Sequence, residues 1–480
     1  MKSLTQNAFY NIIYKCTNLA FTLVSTAYAS RILLPEGVGK VSSAQNIVNY
    51  FTILAALGIP TYGIKIIAAN RGNSEKLNHR FSELFCINSV STIICVTAYY
   101  IMITSIPYFQ SRWKMSAVVG LVIISNGINV DWLYQGLEEY AYIMRRSLAV
   151  KIGSLMALFL FVKNSEDVII YALILTLATC VNHIFNIIHT RRYVRFSVRR
   201  MHISQHLKPV FVLLATVIAI EIYTLVDTTM LTFFCGDKVV GYYTISQKCI
   251  NFVRMIVTSI SAIFLPRLSY YYASKNFDDF HKLVNYGIKV IIFIALPGFL
   301  GVVLTAIDIV PLFVGKTFGE SVLTTRILAV SIISVAVSNF FGYQVLITIG
   351  REKEMLYSTI IGAIVNVVLN IALVFRYGHN GVAVASVVTE FCVTLYQTLV
   401  VKKYVKFTIS SGYFASIIIS SIFMGAMVML CQHIVNGSVL RLASSIVIGV
   451  VSYIVMSSIL KNEIAVNLRR ALNDKFIKVK

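Results

Sequence analysis

Charged side chains are scarce in this sequence. Of its 480 residues, 13% are Asp, Glu, Lys or Arg, whereas a soluble domain carries about 25%. Hydrophobic residues make up 57% of the chain, and the mean hydropathy is +0.77. Such a chain has too few polar side chains to cover a water-facing surface. The composition therefore excludes a soluble globular protein and indicates that most of the surface contacts lipid.

Acidic residues are the rarer of the charged types. There are 20 Asp and Glu against 42 Lys and Arg, which gives a formal net charge of +22. The basic residues lie in short loops between apolar runs, as they do on the cytoplasmic side of membrane proteins. We therefore interpret the excess as a sign of topology, and we do not expect a nucleic-acid partner.

Several chemical motifs are absent. The eight cysteines form no CxxC pair, so neither a disulfide framework nor a metal site is predicted. His202 and His206 have a metal-like spacing but no acidic or thiol residue beside them. The sequence also lacks HExxH, GxSxG and the phosphate-binding GxxxxGK[ST]. We expect no enzyme activity, no metal and no cofactor, and active transport would draw on an ion gradient or on substrate asymmetry.

Long apolar runs fill the chain instead. A membrane-spanning helix needs roughly 20 apolar residues, and about 14 such runs occur. They do not alternate in polarity, which excludes a β-barrel. The fold class predicted is therefore an all-α polytopic membrane protein with spans at residues 8–30, 41–64, 81–106, 115–135, 142–162, 168–189, 209–235, 242–265, 283–307, 322–349, 355–375, 382–401, 413–432 and 442–460.

The distribution of basic residues predicts the orientation. The termini and even-numbered loops hold roughly 27 Lys and Arg, and the odd-numbered loops hold roughly 9. Both termini are therefore predicted to be cytoplasmic. The other cations lie within spans, namely Lys15, Lys151, Lys248, Arg254, Lys289 and Arg326.

An internal repeat relates the two halves of the chain. The spacing of three residues in the second span recurs in the eighth, pairing Gly39, Gln45 and Asn49 with Gly241, Gln247 and Asn251. This pattern favours a parallel duplication of a six-helix unit. The predicted organisation is an N-terminal six-helix lobe (1–190), a basic cytoplasmic linker (191–208), a C-terminal six-helix lobe (209–402), two additional transmembrane helices (403–460) and a basic cytoplasmic tail (461–480).

Polar residues within spans predict a substrate cavity. A charge at a helix centre costs about 2.5–3.5 kcal/mol on insertion scales. Gln247, Asn251 and Arg254 share one helix face, and the repeat sets Gln45 and Asn49 on the equivalent face. These two stripes favour an aqueous cavity, although bonding between helices is the alternative.

Two lysines extend the predicted cavity. Lys15 and Lys248 each lie about two turns into a span, counting 3.6 residues per turn, and both are candidates to line it. For Lys248, snorkelling to the outer interface is a competing interpretation.

Three acids within spans are candidates for ion coupling. Glu221, Asp227 and Glu390 lie in the seventh and twelfth spans. A carboxylate in a low dielectric can couple proton or sodium binding to conformation. The alternative is a static ion pair with a cavity cation.

The chain resembles the repeat-unit (Wzx-type) flippases of the multidrug/oligosaccharidyl-lipid/polysaccharide superfamily. The most specific stretch is residues 131–138, Asp-Trp-Leu-Tyr-Gln-Gly-Leu-Glu, at the end of the fourth span. Further matches are Arg31, Leu34 and Gly37, Leu57-Gly58, Tyr62-Gly63, and Asp227. The resemblance covers nearly the whole chain.

The resemblance implies a two-lobed transporter with a central cationic cavity. Alternating access would carry an undecaprenyl-pyrophosphate-linked oligosaccharide from the cytoplasmic to the outer leaflet of a bacterial inner membrane. The polymerase and chain-length proteins of an O-antigen, capsule or exopolysaccharide pathway would be partners. One departure concerns the second span. Some members of the family carry a cation on its polar stripe, whereas this chain does not.

Three alternatives stay open. A peptidoglycan-precursor flippase has a similar body. An ion-coupled drug or metabolite exporter of the same superfamily is disfavoured by the two extra spans and by Arg254. A membrane glycosyltransferase or polymerase is disfavoured because no outer loop much exceeds about a dozen residues, short for loops that carry catalytic groups.

The predicted orientation can be tested with reporter fusions. We expect fusions after Lys208 and after Lys480 to report the cytoplasm, because both follow basic segments. Fusions near Asp237 and Lys316 should report the outer side. Labelling of the linker at Arg195 from outside intact cells would contradict the lobe assignment.

Overall fold

The structure is a computed structural model that describes residues 4–197, 201–408 and 410–467, and every regular element in these ranges is helical. Seventeen α-helices are present there: α1 (Leu4–Ala56), α2 (Ile59–Asn70), α3 (Ser74–Ser105), α4 (Pro107–Gln110), α5 (Trp113–Asn126), α6 (Asp131–Gly136), α7 (Tyr140–Phe161), α8 (Val168–His189), α9 (Ser204–Phe234), α10 (Asp237–Ala262), α11 (Leu265–Ala273), α12 (Phe277–Val314), α13 (Ser321–Ala329), α14 (Ser331–Asn339), α15 (Glu352–Tyr404), α16 (Ser411–Ile434) and α17 (Ser438–Ile459). Short 3₁₀ turns and a π-helix (Phe340–Leu346) complete the chain.

These helices follow the predicted spans. Eight helical stretches in the described parts are long and apolar enough to cross a membrane, or nine with the bent pair Ser321–Ala329 and Ser331–Leu346. Two of them, Ala20–Asn70 and Glu352–Tyr404, have 51 and 53 residues, which at about 1.5 Å per residue is enough for two crossings each. Every predicted span falls on helix, and the spans 41–64, 115–135 and 322–349 each take in more than one helical segment. The prediction of an all-α polytopic membrane protein with 14 spans is confirmed.

Two backbone breaks divide the longest helices. In α1, Leu34 has φ 60° and ψ 175°, and Pro35 follows it. Proline has no N–H and restricts the residue before it, so the helical ladder is interrupted there. In α15, the break falls at Gly378, with φ 53°, a conformation that glycine adopts without a Cβ clash. Each break separates two predicted spans.

Prolines within spans have different effects on their helices. Pro60 and Pro266 lie in the first turns of α2 and α11, where a missing N–H costs nothing. The helix α12 runs unbroken through Pro297. The break in the first apolar stretch lies instead at Pro35.

The chain divides into two compact units, Met1–Gly241 and Tyr242–Lys480. In the first unit, α1 packs against α3, α5, α7, α8 and α9. Its core surrounds Trp132, whose ring lies 5.6 Å from that of Phe81 and directly against Gly63. The predicted lobe boundaries at residues 190 and 209 remain a prediction.

In the second unit, α12 is the central element. It packs against α13 and α14 on one side and against the last two helices, α16 and α17, on another. A buried carboxylate, Asp308 of α12, accepts hydrogen bonds from Arg441 of α17, one of them at 2.9 Å. This ion pair fixes the additional C-terminal helices to the body of the unit.

The two glycines of the internal repeat lie at a very close backbone contact. A Cβ on Gly39 would lie 1.7 Å from the carbonyl oxygen of Asp237, and one on Gly241 would lie 2.0 Å from that of Pro35. The start of α10 therefore packs directly on the segment that follows the α1 break. Only glycine permits this approach, because each Cβ would overlap main-chain atoms.

We expect Gly39→Ala to lower the free energy of unfolding by about 1–3 kcal/mol, because overpacking against rigid backbone displaces both segments. Gly153→Ala in α7 is the matched control, since no heavy atom lies within 4 Å of its Cβ position. Alanine there should be neutral or stabilising by up to about 1 kcal/mol. Thermal unfolding of the purified proteins in detergent measures both. Equal melting temperatures for the two variants would contradict the close contact.

Candidate functional site

A polar stripe runs along α10. The Gln247 amide donates to the Tyr243 hydroxyl at 2.7 Å, and Tyr243 in turn shares a hydrogen bond with Ser386 at 3.0 Å. One turn further along, Asn251 is exposed, and its side-chain oxygen accepts a hydrogen bond from Arg254 at 3.3 Å. The predicted stripe of Gln247, Asn251 and Arg254 is thus a continuous polar face.

Arg254 has only neutral partners among the described residues. Its guanidinium donates to Asn251 and to the Ser331 hydroxyl, and its Nε is buried without a hydrogen-bond partner. Ser331 is the first residue of α14, at the 40° bend between α13 and α14. The Nε–H of Arg254 is therefore a donor without an acceptor in the described part of the chain. An anion could accept a charge-assisted hydrogen bond from it.

The second span reproduces this pattern of exposure. Gln45 is half-buried and Asn49 is exposed, as are their repeat partners on α10. The adjacent face is occupied by bonding between helices, because the Asn46 amide donates to Thr229 of α9 at 2.7 Å and to the Leu225 carbonyl at 3.2 Å. The stripe of Gln45 and Asn49 therefore faces away from the α1–α9 contact.

The structure describes the side chain of only one of the two lysines that are predicted to line the cavity. Lys248 is half-buried on α10, next to Gln247 in sequence. The side chain of Lys15 lies outside the described residues, so its assignment to the cavity stays a prediction.

Glu221 lies at a small cavity inside the first unit. The cavity has a volume of about 180 Å³ and is lined by Tyr50, Ile53, Leu54, Ile218, Glu221 and Leu225. The carboxylate accepts a hydrogen bond from the Thr224 hydroxyl at 3.2 Å, and no cation pairs with it in the described part of the chain. The alternative for this residue, a static ion pair with a cavity cation, stays open, because the side chain of Lys15 lies outside the described residues.

The other two acids sit in different surroundings. Asp227 is buried on α9, two residues before Thr229, which shares a hydrogen bond with the Tyr50 hydroxyl at 3.0 Å. Glu390 is half-buried in α15, in the second unit. The three candidate acids therefore do not form a single cluster within either unit.

The remaining cations of the spans contact neighbouring helices. Lys289 pairs with Glu463 at 2.6 Å, Arg326 donates to the Val303 carbonyl at 3.0 Å, and Lys151 donates to Asn18. Packing contacts of this kind, rather than a cavity, account for these three residues.

A buried polar cluster around Glu83 on α3 was not predicted from the sequence. This carboxylate is fully buried and accepts hydrogen bonds from Arg80 at 2.9 Å and from the backbone N–H of His202 at 2.7 Å. His206 lies between Glu83, at 2.8 Å, and the Tyr62 hydroxyl, at 2.9 Å. Both ring nitrogens of His206 therefore face protein partners. No metal-binding group of three or more His, Cys, Asp or Glu residues occurs where the structure is described.

The stretch at residues 131–138 also forms a polar junction. Asp131 pairs with Arg146 of α7 at 3.0 Å and accepts from Asn186 of α8 at 2.6 Å. Arg146 is buried and donates to Asn182 at 3.0 Å. The ends of three spans are joined here. The signal in the sequence was Asp131 beside Trp132, but nothing local pointed to Arg146 as its partner.

Known proteins resemble this chain in sequence. Residues 4–272, more than half of the chain, match the family described as polysaccharide biosynthesis protein, and residues 213–372 match the MatE family. A protein named as a candidate O-antigen transporter of Shigella dysenteriae is 23% identical over 80% of this chain and 96% of its own length. One of the same description from Escherichia coli (strain K12) is 21% identical over 83% and 97%.

Solved structures share the fold. The lipid II flippase MurJ in an inward closed conformation superposes with a TM-score of 0.76 at 16% identity, covering 96% of this chain and 99% of that one. A multidrug resistance MATE transporter in an inward-facing conformation gives 0.63 at 16% identity, over 81% and 94%. With the family match over residues 4–272, these findings show that the chain belongs to the polysaccharide biosynthesis protein family, among the flippases of the multidrug/oligosaccharidyl-lipid/polysaccharide superfamily.

Proposed function

We propose that this protein flips an undecaprenyl-pyrophosphate-linked oligosaccharide repeat unit from the cytoplasmic to the outer leaflet by alternating access. The observation that carries the proposal is Arg254, a guanidinium within a span that has an unpartnered Nε and an exposed Asn251 beside it. The sequence similarity to proteins named as candidate O-antigen transporters supports the same substrate class.

The chemistry of the substrate explains the need for such a residue. A pyrophosphate with a sugar head cannot cross about 30 Å of hydrocarbon unaided. Guanidinium presents a planar fork of donors that matches phosphate oxygens, whereas ammonium acts as a point charge. Arg254 and Lys248 supply positive charge along the α10 stripe, and Gln45, Asn49, Gln247 and Asn251 supply amide groups for hydroxyls. The prenyl tail stays in lipid throughout.

The cellular setting follows from this role. The protein is proposed to lie in the bacterial inner membrane with both termini in the cytoplasm and to act as a transporter, not an enzyme. It serves O-antigen, capsule or exopolysaccharide assembly beside the polymerase and chain-length proteins of the pathway. It needs no bound cofactor, and Glu221, with Asp227 and Glu390 as further candidates, couples transport to H⁺ or Na⁺.

A second candidate substrate is a peptidoglycan precursor. The fold superposes on the lipid II flippase over almost the full length of both chains. That substrate also joins a prenyl pyrophosphate to sugars, so Arg254 would contact the same group. The named sequence relatives favour the polysaccharide repeat unit, and the surface polymer that is lost on deletion of the gene distinguishes the two.

We expect Arg254→Ala to abolish surface polysaccharide and Arg254→Lys to restore only part of it. Loss of a charge-assisted bond weakens binding by roughly one to two orders of magnitude. Polymer is measured on cells in which the variant replaces the native copy, with membrane levels matched to wild type. Arg267→Ala is the matched control, because Arg267 is exposed on α11 and should export normally.

A rival role for Arg254 is structural pairing with an acid. It predicts that removing the acid as well restores export. Normal polymer export by a double variant carrying Arg254→Gln and Glu221→Gln would therefore overturn the anion-contact role.

We also expect Glu221→Gln to remove the dependence of flipping on an ion gradient, because the amide cannot take up or release a proton. Flipping is measured in vesicles against imposed pH and sodium gradients. Glu75→Gln removes a similar charge at an exposed position outside the spans and should behave as wild type. Unchanged gradient dependence in Glu221→Gln would reduce this residue to a structural role.

A further inference from the structure

A cavity within the first unit is lined by residues outside the polar stripes. It has a volume of about 550 Å³, between the start of the second span, the loop that joins α3 to α5 and the segment that precedes α8. Its apolar side includes Ile47, Val168 and Ile169. Its polar side includes Lys40, Arg112, Lys114, Ser111, Ser165 and Glu166. On the predicted topology these segments form odd-numbered loops, so the cavity opens on the outer side.

A fixed hydrogen-bond network holds one wall of this cavity. Arg112 pairs with the buried carboxylate of Asp237 at 2.7 Å and donates to the Tyr108 hydroxyl at 2.8 Å, with its guanidinium 4.5 Å from the Tyr108 ring. Asp237 also accepts from Ser43 at 3.1 Å. Partial burial raises the pKa of the Tyr108 phenol, so the hydroxyl stays protonated. This wall is therefore held in place by contacts within the protein.

The charges at the cavity are largely balanced. Arg112 is neutralised by Asp237, and Lys40 pairs with Glu36 at 2.7 Å, which lowers the pKa of that carboxyl. Lys114 and Glu166, both exposed, have opposite signs. A cavity with balanced charge offers donors and acceptors together, as a polyhydroxyl ligand requires, rather than a field that selects an anion.

An exposed aromatic ring completes the cavity. The chain has two tryptophans: Trp132 is buried at 3% exposure, whereas Trp113 at this cavity is 58% exposed. The Lys114 ammonium lies 6.0 Å from the Trp113 ring. Tryptophan is common at membrane interfaces, but here it stands with donors and acceptors around a cavity large enough for one or two sugar rings. Ligand sites combine an apolar wall with a few placed polar groups in this way.

We propose that this cavity is an outer saccharide site, separate from the Arg254 stripe, that binds the oligosaccharide head after it has crossed the membrane. The sugar packs on Trp113 and bonds to Lys114, Glu166 and Ser111. The inference rests on the proposed function, because it takes the transported oligosaccharide as its ligand. Such a site would hold the head group on the outer side and oppose its return.

The test uses the purified full-length protein and its own tryptophan fluorescence. The probe is the lipid-free repeat-unit oligosaccharide, released from the lipid-linked precursor by mild acid, which hydrolyses the sugar–pyrophosphate linkage. We expect a saturable change in wild type that disappears in Trp113→Phe, which keeps Trp132. Lys114→Ala should raise the half-saturating concentration about tenfold, from the loss of one charge-assisted bond. Lys163→Ala, at an exposed lysine of the neighbouring loop outside the lining, should leave it unchanged.

Each other outcome overturns the proposal. The site is refuted if the oligosaccharide gives no change, or if the change persists in Trp113→Phe. A response to dihexanoyl phosphatidylglycerol with none to the oligosaccharide would make the cavity a lipid head-group site. The surface-polymer assay of Arg254→Ala is independent of this titration. Lost polymer with no Trp113 response therefore leaves the flippase standing and removes only the outer site.

Discussion

Hydrocarbon offers no hydrogen-bond partner, and this constraint governs where polar groups lie in the protein. The backbone satisfies it by forming helices throughout the described spans. Side chains satisfy it through pairs such as Asp131 with Arg146 and Asp308 with Arg441. Each pair joins separate helices, because a charge in lipid must find its counterpart within the protein. The same requirement that makes buried charge costly thus determines how the helices are attached to one another.

Arg254 differs from these ion-paired residues. Its described partners are an amide and a hydroxyl, neither of which neutralises the guanidinium. An uncompensated charge within a span is retained only where water or a ligand reaches it. A substrate that carries pyrophosphate would complete the set of partners for each transport cycle and then leave. A permanent acid partner would instead compete with that substrate for the same donors.

The sequence predicted the positions of the helices well. It did not predict which side chains of different helices contact each other. Span positions follow from the length of apolar runs, which is local information. Asn49 and Asn251, which the predicted repeat pairs, are both exposed, and the repeat itself remains a prediction. The contact of Glu83 with His206 joins residues 123 positions apart, and that of Asp308 with Arg441 joins residues 133 apart. No periodicity encodes such distances. The Pro35 break was also missed, because a single proline in a loop segment resembles an ordinary connection.

The mutual contact of Gly39 and Gly241 has a consequence for genetics. Each glycine faces main-chain oxygen of the opposing segment rather than a side chain. A defect caused by alanine at either position therefore has no compensating substitution at the contact itself, since no smaller residue exists to make room. Second-site revertants of Gly39→Ala should arise elsewhere, at positions that let a whole helix shift. Because each glycine packs on the segment that carries the other, either position can lose its glycine only if the two segments move apart.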